Sequence, residues 1–164
     1  MPSSSPLTDF DSISPILSKL RLFGGATDEQ LLTIFRRLDL RVLKTGEVVF
    51  HKGDEPMHIY IVKSGQIDLQ LAESGTTIHK HQLRVGECFG ESSLMSMHRH
   101  TTTAVAAVDS EIMLLSRKAL IELKHEDVSL FAMLMMNLAR ELARRLYATD
   151  EMLIEATARR AVAS

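Results

Sequence analysis

A single cysteine, Cys88, in 164 residues excludes an intramolecular disulfide and any zinc site built from several thiolates, and it fits a reducing compartment. Charge of one sign is also missing. Nineteen basic against twenty-one acidic side chains leave a net charge of -2, so no overall basic field draws the chain onto nucleic acid or an anionic membrane. The longest uncharged apolar run, Val128 to Leu138, falls well short of the ~20 residues of a membrane span. The Ser/Pro-rich start has neither a cationic opening nor an apolar core, so it does not read as a secretory signal. A cytoplasmic protein with no membrane contact is the expectation. What is present is ordinary for a soluble fold: 45% hydrophobic and 24% charged residues, in a length that suits one self-sufficient domain.

Residues 1–11 combine serines and prolines with little apolar surface and read as a mobile tail. From Ser12 the pattern is helical, with Ile13, Ile16, Leu17 and Leu20 on one face and Ser14-Pro15 placed as a start signal. Thr27 with Gln30 three residues on is a capping box, followed by the stripe Leu31, Leu32, Ile34, Phe35 and Leu38. After Leu38 the period changes to two, and Gly46, Gly53, Gly65, Gly75 and Gly86 separate β-prone runs. The runs are 40–43, 48–51, 58–62, 66–71, 76–83, 101–108 and 111–116. They predict a mainly β fold with flanking helices and about seven or eight strands, at the spacing of sandwiches and jelly rolls; a barrel of this kind has an interior that can hold one small ligand.

The last third is helical again: a short helix from Arg117 to Leu123, then a long one from Val128 to about Ala158 with no glycine or proline inside. Two apolar stripes overlap on it. One runs Met135, Leu138, Leu142, Arg145, Thr149, Met152, Ala156; the other runs Phe131, Leu134, Leu138, Leu142, Leu146, Thr149, Leu153. Apolar residues this far round predict that the helix packs its own domain on one side and a second copy on the other, making a homodimer; a single wide core-facing stripe is the alternative. The predicted layout is helices at 12–38, jelly roll at 39–116, helices at 117–158 and a tail at 159–164.

Chemistry concentrates in Gly86 to Met95 and in His98-Arg99-His100-Thr101-Thr102-Thr103. Gly90 permits close backbone approach, and the residues after it can form a helical turn whose free amides meet an anion. Glu91 beside an anion makes sense if its oxygens accept from a neighbouring sugar hydroxyl. The residues therefore suggest a small ligand with one phosphate and an adjacent hydroxyl. Here the chain resembles a known family. Phe89-Gly90-Glu91-Ser92-Ser93-Leu94 is similar to the phosphate-binding cassette of cyclic nucleotide-binding domains, and the same order of turns recurs in Gly46-Glu47, Lys52-Gly53-Asp54, Ser64-Gly65 and Val85-Gly86-Glu87. The similarity spans about residues 12 to 158, and the long helix is similar to the dimer helix of bacterial cyclic-AMP receptor transcription factors.

The resemblance implies an eight-stranded jelly roll (double-stranded β-helix), cAMP or cGMP as regulatory ligand, no metal and no enzymatic activity. It implies a ligand-binding set of Phe89, Gly90, Glu91, Ser92, Ser93, Arg99, His100, Thr101, Thr102, Thr149 and Asp150. Amides of Gly90 and Ser92 would meet the cyclic phosphate and Glu91 the ribose 2′-hydroxyl, while Thr149 would reach an adenine edge with Asp150 helping across the dimer. Thr101 would instead contact a guanine amino group, so the two bases stay open. The family's phosphate arginine falls on His100, with Arg99 one position early; a slip of one flips a strand side chain to the other face, so either the loop realigns Arg99 or protonated His100 substitutes. That displacement motivates the alternative of a degenerate fold retained as a dimerisation or protein-interaction scaffold. A receptor transcription factor would next need a winged helix, and the chain ends at Ser164, so the expectation is no direct nucleic-acid contact and an output through an unknown effector protein or through a further domain outside this sequence.

Other residues carry less. His79 and His81 with Glu87 have the ligand types of a cupin-type metal site, but the spacing is wrong and no second motif supplies another histidine. Cys88 reads as a small buried hydrophobe, Leu134-Met135-Met136 as packing and Arg144-Arg145 as a solvated helix edge.

Overall fold

The computed structural model describes residues 4–73 and 76–162, so Gly75 and the last two residues of the expected tail lie outside the described residues. Helix α1 (Phe10–Leu17) is capped by Asp9, whose side chain accepts from the Ser12 amide at 3.3 Å. The start signal is therefore Asp9, and Ser14-Pro15 lies inside the helix. Helix α2 (Asp28–Phe35) opens on the expected capping box, with Thr27 and Gln30 exchanging bonds of 3.2 and 3.1 Å. The expected mobile tail is partly ordered: β1 (Ser5–Pro6) pairs with β2 (Leu38–Leu43), and Phe10 meets Phe35 edge-on with centroids 5.2 Å apart. Leu7 and Phe10 supply the apolar contact that anchors an otherwise polar segment.

The remaining strands are β3 (Val48–Phe50), β4 (His58–Ser64), β5 (Ile67–Glu73), β6 (Thr76–Leu83), β7 (Cys88–Phe89), β8 (Thr103–Ala106) and β9 (Ser110–Ser116). They form two antiparallel sheets, ordered β1-β2-β9-β4-β7 and β3-β8-β5-β6. The jelly-roll character holds, with one correction. The described sheets do not close into an eight-stranded barrel, because no ladder joins their edges and the outermost strands β1 and β7 are two residues long.

Sheet period places the core on both sides of one wall. Ile59, Ile61, Met113 and Leu115 face the helices, while Tyr60, Val62, Ile112 and Leu114 face the opposite sheet. Helix α3 (Glu91–Ser96) follows β7, and α4 (Arg117–Glu126) starts on a Ser116 cap. Helix α5 runs from Val128 to Val162, through the start of the expected tail. Leu130, Leu134 and Leu138 bury its first half in the helical core. Asn137 fastens it there by donating to the carbonyls of Leu22 (3.0 Å) and Gly24 (2.9 Å). Farther along, Leu146, Tyr147, Met152, Leu153 and Ile154 are exposed.

Candidate functional site

The turn from β7 into α3 is set by Gly90 at φ +78°, where an added Cβ would stand 2.8 Å from the Tyr60 ring and 3.1 Å from the His58 carbonyl. Only glycine fits both the left-handed backbone and the space. Phe89 is fully buried and stacks on Tyr60 at 5.1 Å, which fixes the base of the turn. From there Glu91 points inward and is wholly buried.

Burial of a carboxylate needs a counter-charge, and α5 provides it. Arg145 Nη1 donates to Glu91 Oε1 at 2.6 Å, and Arg145 Nη2 donates to the Cys88 carbonyl. Desolvation pushes the Glu91 carboxyl upward, opposed by Arg145 and its backbone hydrogen bond. Its second oxygen, Oε2, is buried with no hydrogen-bond partner among the described residues. Burial raises the Cys88 thiol to about 12, so the cysteine is an inert core group as the sequence suggested.

Glu91, Arg145 and Gly90 line a cavity of about 410 Å³ bordered by α3, α5 and the four-stranded sheet, a size within the usual ~300–1,000 Å³ of small-molecule sites. Of the residues expected at the ligand, the wall contains Gly90, Glu91, Ser92, Ser93, His100, Thr101, Thr102 and Thr149. Three are not brought to it. Phe89 supports the turn from behind, Asp150 is exposed on α5, and Arg99 is drawn outward by the Gly53 carbonyl (2.8 Å) and Glu55 (3.3 Å).

His100 stands in its place. Its ring lies parallel to Phe50, centroids 3.6 Å apart and planes inclined by 10°, and Nε2 is buried without a partner among the described residues. The backbone is held by His100 N–H to the Asp54 carbonyl (3.0 Å) and Gly53 N–H to the His100 carbonyl (2.8 Å). Burial lowers its basicity, with Asp54 acting in the opposite direction.

Arg145 is not the solvated helix edge the sequence suggests, since it lines the cavity and is ion-paired with the buried Glu91. Arg144 does match that expectation, pairing with Glu141 at 2.7 Å on the exposed side. The missed signal was a charge inside an apolar stripe, which requires a buried partner. His81 also lines the cavity, whereas the side chains of His79 and Lys80 lie outside the described ones. Among the described residues no group of three or more His, Cys, Asp or Glu is disposed to hold a metal ion, and no helix is long and apolar enough to cross a membrane.

The chain is similar to the cyclic AMP receptor protein of Thermus thermophilus, 31% identical over 130 residues that make up 79% of this chain and 58% of that one. It is also similar to the human cyclic nucleotide-gated channel beta-3, 30% identical over 66% of this chain and 14% of the channel. It thus spans less than two thirds of the length of these relatives. Among solved structures, the Thermus thermophilus catabolite activator protein superposes with a TM-score of 0.74 at 30% identity, over 84% of this chain and 63% of that one. A cyclic nucleotide-binding domain from Methylobacillus flagellatus gives 0.78 at 18% identity, over 88% and 82%, which supports the fold alone. The family profile described as cyclic nucleotide-binding domain matches residues 40–127, across both sheets, the turn at Gly90 and the buried Glu91, and the chain belongs to the cyclic nucleotide-binding domain family.

Proposed function

We propose that the chain is a regulatory module, not an enzyme, that takes cAMP or cGMP into the cavity and signals through α5. The observation that carries this reading is Glu91: a buried carboxylate lining a nucleotide-sized cavity, with Oε2 unpartnered among the described residues and Oε1 held by the long helix. A carboxylate oxygen needs a donor, and a ribose 2′-hydroxyl supplies one. The amides of Gly90 and Ser92, at the start of α3, would meet the cyclic phosphate, with Arg145 near enough to add its charge. Thr149 favours adenine and Thr101 guanine, and both line the cavity. Because α5 contributes Leu142, Arg145, Leu146 and Thr149 to the wall, ligand contact biases the position of that helix, which is the two-state element of the switch.

The exposed apolar residues of α5 support a homodimer through its second half, and the reading includes a cytoplasmic setting, suggested by the single cysteine, with an effector protein as output. A second reading, the scaffold that no longer binds nucleotide, is favoured by Arg99 lying outside the cavity. Calorimetric titration with cAMP and cGMP decides between them. Saturable heat below millimolar ligand is expected, weakened about ten- to a hundredfold in Glu91→Gln; silence at millimolar concentrations of both nucleotides establishes the scaffold.

A further inference from the structure

Cationic groups near the phosphate position are few. Among the described residues Arg145 is the one arginine or lysine lining the cavity, and it is already tied to Glu91 and the Cys88 carbonyl. Arg99 is engaged outside by Gly53 and Glu55. The other basic side chains lining the cavity are His81, which is exposed, and His100, a residue only 3% exposed, held flat on Phe50, with Nε2 buried and without a partner among the described residues.

We infer that nucleotide binding is linked to uptake of a proton by His100, whose imidazolium meets the cyclic phosphate, so that the module reads ligand and acidity together. The inference rests on the reading of the cavity as a cyclic nucleotide site. An imidazolium Nε2–H donates where a neutral ring of the wrong tautomer does not, and the Phe50 face beneath favours the charged ring. Without an anion, desolvation works against that charge. A phosphodiester carries a single negative charge throughout the relevant range, so the pH dependence belongs to the protein. Asp54 on the β3–β4 turn favours the proton on His100, and the other titratable groups lining the same cavity are Glu91 on α3, Arg145 on α5 and His81 on β6. Across Phe50 stand Tyr60 and, behind it, His58 on β4, whose own basicity burial lowers. Glu91 is the other group whose titration could enter, since its protonation would loosen Arg145.

The test is calorimetry with cAMP and cGMP between pH 5.5 and 8, in two buffers of different ionisation heat. Affinity should rise on the order of ten- to a hundredfold toward acid, with uptake approaching one proton. His100→Gln should bind weakly with a flat profile, and His100→Arg tightly with a flat profile, both checked for native circular dichroism. In the wild-type protein the His100 ring resonances should titrate at higher pH with ligand than without. A flat wild-type profile, or a slope that survives in both His100 variants, overturns the inference while leaving nucleotide binding intact. Absence of binding by the wild-type protein at every pH instead overturns the reading of the cavity, and the inference with it.

Discussion

At the scale of single residues, the Glu91 and Arg145 pair is two-sided: each group makes the burial of the other tolerable. Arg145→Ala leaves Glu91 buried without its cation, and a loss of about 1.5–3 kcal/mol in urea unfolding at neutral pH is expected. That deficit should shrink in acid, where a protonated Glu91 no longer needs the guanidinium. His100 has the opposite linkage. Its folded basicity is lowered by burial, so below its ordinary value of about 6.5 the unfolded chain takes up a proton that the folded chain resists. Stability in the absence of ligand should therefore fall as pH drops from 6.5 toward the lowered folded value, and His100→Gln should remove that part of the fall, measured as the shift of the urea midpoint between pH 8 and 5.5. Much of the site was legible in sequence because the Phe89 to Leu94 cassette is local. Arg145 was not, because its meaning depends on a contact across 54 residues of chain that only packing establishes. Arg99 was ambiguous for a related reason: a strand pattern cannot say which of two adjacent side chains a loop turns inward.

At the scale of elements, α5 is two different helices end to end. Its first half is held by Leu130, Leu134 and Leu138, and Leu134→Ala should cost about 2–5 kcal/mol of domain stability in chemical unfolding. Its second half leaves Leu146 at 63% and Leu153 at 65% exposure, so Leu153→Glu should leave the unfolding of the single chain nearly unchanged and shift sedimentation from dimer to monomer. A monomeric wild-type protein would contradict the assignment of that face. Strand boundaries were readable to within a few residues because period two and glycine turns are local signals. The edge strands β1 and β7 were missed because two residues show no period, and failure of the sheets to close is a property of edges that no single strand carries.

At the scale of the whole molecule, one sheet separates two apolar clusters, the helical core outside it and the intersheet core within. The cavity opens on the inner side and α5 is fastened on the outer side, so Arg145 is where the two compartments touch. The Asn137 clamp then has a mechanical meaning. At ~1.5 Å per residue, Arg145 lies roughly 12 Å beyond that clamp and Val162 roughly 37 Å beyond it. With Asn137 as fulcrum and α5 as a rigid rod, an ångström of travel at the guanidinium would become about three at the far tip, so under the proposed reading a small adjustment at the ligand would suffice for a displacement that another molecule can feel.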